Sequence, residues 1–501
     1  MVTDRYGNPL HECTQETAAH LDRAVEALLH FSPEVEQAVD DALGSGPASP
    51  VAQSFAAYLG MLGTEPGEAV VARQRFDRYT AGVDIPSLPV RERMHLAAAE
   101  AWLAGDLHRA GGLLEELSLA YPTDALALAV GHQLDFFTGD AVRLRDRIGG
   151  ALGAWDADEP HRGLMLGMYA FGLEESGHYR LAEEAGLAAV EQNPRDVWAI
   201  HAVVHTYEMQ GRVSDGIRYL DARRDNWARG NYLNVHNWWH YALYALEAGD
   251  TDSALSIYDS ALHNDDSAGT AMELLDAAAL LWRIRLAGAE PTARWEALAD
   301  AWAARADPPF YAFNDVHAVM SYAGAGRFVE ATRLIADRRR WLAQEVADTV
   351  TNRRMTVEIG LPACEALLAH AQGKHTTVVD LLWPLRRRLH EFGGSHAQRD
   401  ALQKTLLDSA LSSGRHDLAR ALISERIGIR PDSSYNWSAR ASLADGLGDA
   451  ALAAVARNHA RDAAAAVAET LRSPASPSRS GSGVGAPSGG SDAPGASPVP
   501  R

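Results

Sequence analysis

His201 and His205 stand four residues apart in HAVVHTYEMQG, and His236 and His240 repeat that spacing in HNWWHYALYALEAGD. On a helix, positions i and i+4 share one face; Glu208 continues the first face, and Tyr244 and Glu247 the second. Four neutral imidazoles with a carboxylate form a donor set for a transition metal such as zinc, with iron, manganese and nickel also suited. This makes His201, His205, His236 and His240 the candidate metal ligands. Without a metal, the same rings titrate near neutrality and can exchange protons, which makes His205, His240 and Glu208 the candidate catalytic group. Against both stands a simpler alternative, that each pair only hydrogen-bonds its neighbours while Trp238 and Trp239 pack between helices.

Other polar residues interrupt runs where a core helix would carry aliphatics. MELLDAAALLWRIRLAG places Asp276 and Arg283 seven apart on one face, and FNDVHAVM supplies Asn314, Asp315 and His317. Charges in such surroundings must be paired, so Asp276 with Arg283 is expected to form an internal ion pair. These residues, with Asn237, Tyr244 and Arg399, complete the expected pocket. In GGSHAQRD, Ser395 and Gln398 have capping-box spacing, so the segment starts a helix; its free N–H groups and Arg399 could also hold an anion. No HExxH, P-loop, GxSxG or dinucleotide-binding fingerprint is present to name a reaction.

The elements that must position these groups are helical hairpins. Glycines recur at 105, 139, 177, 211, 249, 288, 326, 373, 414 and 448, each between two Ala/Leu-rich stretches and 34 to 47 residues from the next. Alanine follows most of them within a few residues, and proline closes several units, as in YPTD and NPRD. The period resembles degenerate tetratricopeptide repeats, in which each hairpin leaves an apolar face for the next to cover. Period-two strand patterns are nearly absent. The expected fold is all-α: a tetratricopeptide-like superhelix, or α-solenoid, over residues 15–472. A flexible N-terminus over 1–14 precedes it, and a Ser/Pro/Gly-rich tail over 473–501, too poor in apolar residues to order, follows. In such an array the first helix of each hairpin lines a concave groove, and the central hairpins from about 195 to 325 would gather the histidines there.

The strings HAVVHTYEMQGR, HNWWHYALYALEAGD, FNDVHAVM, IGLPACEALLAHAQGK and PLRRRLHEFGGSHAQRD, in this order over roughly 195–425, resemble the tetratricopeptide repeat protein 38 family. The resemblance implies a cytoplasmic helical-repeat protein. By motif it carries over His201, His205, Glu208, His236, Asn237, His240, Asn314, Asp315 and His317, with Gln398, Arg399 and Asp400 in the later block.

Composition narrows the partners. With 46 basic against 66 acidic residues, the net charge of −20 does not suit a nucleic-acid binder, which needs cationic surface. Cys13 and Cys364 are too few and too far apart for a disulfide framework. No secretory leader and no apolar run long enough to span a membrane appear, so an intracellular, cytoplasmic protein is expected. The ligand is then a small molecule or a peptide in the groove. Grooves that hold acidic peptide ends present Lys and Arg, whereas these inward positions carry His, Glu, Asn, Asp and Tyr, a set suited to a compact pocket.

Overall fold

The computed structural model describes residues 2–345 and 347–472; the tail 473–501 lies outside the described residues. Within them the chain is almost wholly helical, apart from a short antiparallel ladder pairing Val2–Thr3 with Pro9–Leu10. No described helix is long and apolar enough to cross a membrane.

The helices pair as hairpins about the glycines. All ten turn glycines have φ between 67° and 95°, a conformation that a Cβ makes costly. Five residues beyond the turn, Ala110, Ala182, Ala254, Ala331, Ala419 and Ala453 are fully buried. Their small size lets the second helix lie close on the first. Gly216 occupies the same register, where a Cβ would strike the Tyr244 ring. Aspartates cap many of the helices, among them Asp124 before Ala125–Thr138 and Asp196 before Val197–Gln210, each accepting a backbone N–H three residues on.

Two expectations need correction. The first concerns residues 2–14, which make specific contacts with the helical body. Arg91 donates to the Pro9 carbonyl at 3.2 Å and pairs with Asp4 at 3.3 Å, while its Nε meets the buried Asp124 at 2.6 Å. Tyr6 packs edge-on against Trp155. A buried guanidinium needs every one of these acceptors, and the N-terminal segment supplies two of them.

The second concerns the groove. Most of the first helices of the central hairpins are covered: residues 197–208, 274–284 and 311–323 are buried without a break, and Asn234–Glu247 is so over 239–245. The period of the repeats cannot reveal the reason, which is contact between distant segments. The helix His396–Ser412 packs against both Val197–Gln210 and Ala271–Leu286. At the other side, Gln15–Leu29 and Pro50–Leu62 pack on Ala125–Thr138, and the long helix Ala450–Arg472 lies on Val213–Asp221 and Asn234–Glu247. The first helices thus form an inner layer, not the floor of an open track.

Candidate functional site

Val197–Gln210 and Asn234–Glu247 are the inner helices of successive hairpins, and they bring the four histidines together. Ring centres of His201, His205, His236 and His240 lie 4.3 to 6.2 Å apart over all six pairs. One nitrogen from each ring falls within 4.8 Å of the others. A tetrahedral ion bound at about 2.0–2.1 Å to four ring nitrogens requires ring centres about 5 Å apart, so the cluster has the right size.

Its hydrogen bonding points the same way. His236 Nδ1 donates to Asp276 at 2.7 Å, and His240 Nδ1 donates to Glu208 at 2.5 Å. His205 Nδ1 lies 3.5 Å from Glu174. For His236 and His240 the carboxylate behind Nδ1 fixes the tautomer and turns the Nε2 lone pair inward, the arrangement by which proteins orient metal-binding imidazoles; His205 and Glu174 make no hydrogen bond. Both nitrogens of His201, both of His205 and Nε2 of His240 are buried with no hydrogen-bond partner. Buried polar nitrogens seldom go unpaired, because each forfeits its hydration; three rings that each turn one such nitrogen toward the same spot call for a shared partner there, an ion or an ordered water.

Burial, reinforced by the neighbouring imidazoles, holds His201, His205 and His240 well below the usual histidine pKa, so these rings are neutral at pH 7. That is the form that binds metal. Aromatic packing locks them: Phe171 stacks on His201 at 5.2 Å, and Trp239 stacks on His236 at 5.1 Å. Trp239 and the half-buried Trp238, which meets Trp227 edge-on, are packing residues.

Behind His205 sits a pair of glutamates at the end of the helix Arg162–Glu175. Burial, with its neighbour Glu175 as a second cause, raises the Glu174 pKa well above the carboxylate range, and both its oxygens lack partners. Burial opposes ionisation of Glu175 too, yet His396 and Arg399 outweigh it and hold that carboxyl low. Glu174 is therefore the neutral member of the pair, able to ionise if positive charge arrives beside His205. Sequence reasoning missed it. A signal existed: Glu174 precedes Gly177 by three residues, as Glu208 precedes Gly211, so the two occupy the same place in successive hairpins.

The remaining expected pocket residues serve elsewhere. Asp276 and Arg283 form no ion pair: Asp276 turns to His236, while Arg283 donates to the carbonyls of Ala279 and Ala397, at 2.9 and 2.5 Å, and covers the Trp239 ring. Tyr244 donates to the Val204 carbonyl and Asn314 to Thr64. His317 bonds the Phe313 carbonyl, and Asn237 is buried with its amide unpartnered. Ser395 and Gln398 make the capping box, and Glu175 itself takes the His396 N–H at 2.8 Å. Arg399 reaches Glu175 and the Gly394 carbonyl, so no room is left for an external anion at this helix start. Cys364 is buried, and its thiol pKa is pushed up.

Asp315 forms a bidentate pair with Arg338 at 2.6 and 2.9 Å, both largely buried. Removing one partner strands the other charge, so Asp315→Ala should destabilise the fold by about 3–5 kcal/mol in denaturant titration. By contrast, Asp276→Asn keeps the size of the side chain and weakens only the support of His236. With a metal ion held by the cluster, it should lower metal affinity about 10- to 100-fold in chelator competition while leaving denaturation nearly unaffected. The sequence matches no protein-family model.

Proposed function

We propose that the chain is a helical-repeat metalloprotein, an α-solenoid of the repeat protein 38 type, whose four histidines bind one transition-metal ion such as zinc in a pocket for a small molecule. The observation that carries this reading is the convergence of one ring nitrogen from each of the four histidines, with unpartnered buried nitrogens on His201, His205 and His240 and a carboxylate bonded behind His236 and His240. A purely structural histidine cluster would be expected to satisfy those nitrogens within the protein. With four ring nitrogens already bound, such an ion would need to expand to five-coordinate, and in that fifth position it would polarise a coordinated oxygen or lower the pKa of a coordinated water. The chain's own residues do the rest: Glu208 and Asp276 orient rings, and Phe171, Trp198 and Trp239 keep bulk water from their faces.

His205, His240 and Glu208 are thereby supporting and ligating groups rather than a free acid–base set. His205 and His240 have no exposed side-chain surface, so neither can meet a substrate directly. The alternative of a non-catalytic peptide scaffold is less well supported, because most of the inner faces on which a peptide would lie, residues 197–208, 274–284 and 311–323, are buried.

Metal analysis of protein made without a polyhistidine tag tests the reading. About one zinc, iron or similar ion per chain should survive dialysis and leave with a strong chelator. Protein that takes up no ion when offered zinc, cobalt or iron would overturn it.

A further inference from the structure

The histidine cluster borders a cavity of about 870 Å³. That volume suits a whole organic ligand rather than a few waters. The inner helices form one side of the cavity, and the first four helices, Gln15–Leu29, Glu34–Ser45, Pro50–Leu62 and Pro66–Thr80, form the other. His201 and His236 lie on its wall, with Asp276 and Trp198, whereas His205 and His240 are not among the lining residues. Any free coordination position is thus reached through this cavity. Away from the rings the wall is apolar, with Leu29, Leu62, Phe136, Phe137, Leu164 and Met168. The exposed charged residues at its border are acidic, Glu36, Asp40 and Glu68, and they stand among exposed apolar ones such as Val71, Tyr232 and Met272. Arg75, the cation there, already lies 3.9 Å from Asp40.

We propose that the cavity binds an amphiphile, with an oxygen-bearing polar head at the His201–His236 edge and a long apolar body along the Phe137–Met168 wall. The far end carries no negative charge, because the acidic border repels one. This rests on the metal reading for the head group only; the apolar body is recognised by the wall whether or not an ion is present. A compact polar substrate would leave most of the apolar wall wet, and a peptide would bring buried backbone groups that the wall cannot satisfy.

The test uses the full chain loaded with cobalt(II), whose visible absorption reports a change of ligands, and the series acetohydroxamate to decanohydroxamate. Affinity should rise about three- to fourfold per added methylene, the gain from transferring one CH₂ out of water, until the cavity is full. Decanohydroxamate bearing a terminal carboxylate should bind more weakly than the plain compound. Leu62→Trp, or Leu59→Trp if the first variant misfolds, should abolish the gain for long chains while acetohydroxamate still perturbs the cobalt spectrum. Equal affinity along the series, or a gain untouched by both variants, overturns the proposal. If the protein takes up no cobalt, the metal reading fails by itself. The cavity is then judged by calorimetry with hexanol and decanol on metal-free protein, where the same gain per methylene supports the apolar site and its absence overturns it.

Discussion

Alanine at both His205 and His240 should strip the protein of its metal while the helices remain. Structural metal sites are worth about 10–16 kcal/mol, so each of four ligands accounts for roughly 2.5–4 kcal/mol, or on the order of 10²- to 10³-fold in affinity. Losing two should reduce retention beyond detection in a chelator competition. Both rings are fully buried, so the double variant also opens space beside Phe171 and leaves Glu208 without its partner His240. Circular dichroism and denaturant titration must therefore accompany the metal measurement. His236→Ala serves as the milder control, because His236 is on the cavity wall and its loss disturbs the packing less. It should show most of the affinity loss with little change in unfolding.

The second large effect is on acid stability of the metal-free protein. Burial holds His201, His205 and His240 well below their unfolded value of about 6.5, and takes His132 to about 3 and His317 to about 4. Below pH 6.5 the unfolded chain binds protons that the folded chain refuses, so these groups make stability fall as pH falls. Above pH 6.5 both states are neutral at these sites and the effect vanishes. Buried carboxyls oppose the trend: Glu174 is raised, and burial takes Asp196 to about 7, so the folded state gains protons there first. The comparison that removes this background is between wild type and a His201→Gln, His205→Gln variant. Between pH 6 and pH 5, wild type should lose about 2.5 kcal/mol more than the variant, roughly 1.2 kcal/mol per titrating ring. Equal slopes would show that the rings are already protonated or solvated in the folded protein.

The hairpins were legible because glycine and alanine carry local geometry. A left-handed turn at Gly211 and a close approach at Ala182 are each dictated by residues within one unit. The convergence of the four histidines was legible for a related reason, since i, i+4 spacing on neighbouring first helices leaves few places for the rings to go. The partner of Asp276 was not. Seven residues on a helix span about 10 Å, too far for Asp276 and Arg283 to meet, and His236 on the adjacent helix is nearer than anything on its own. Nor does the repeat period encode closure of the interior. That depends on Arg283 donating to Ala397 and Trp282 to Thr405, residues more than a hundred positions away. Glu174 was hidden because an acidic pair before a turn usually reads as a solvated helix end; only its register with Glu208 sets it apart.

X-ray absorption at the edge of the bound metal, on untagged protein, tests the central claim most directly. The account predicts about four nitrogen donors at about 2.0–2.1 Å for zinc, with the multiple-scattering signature of imidazole. A shell made chiefly of oxygen or sulfur, or imidazole scattering that survives replacement of His201, His205, His236 and His240, would contradict it.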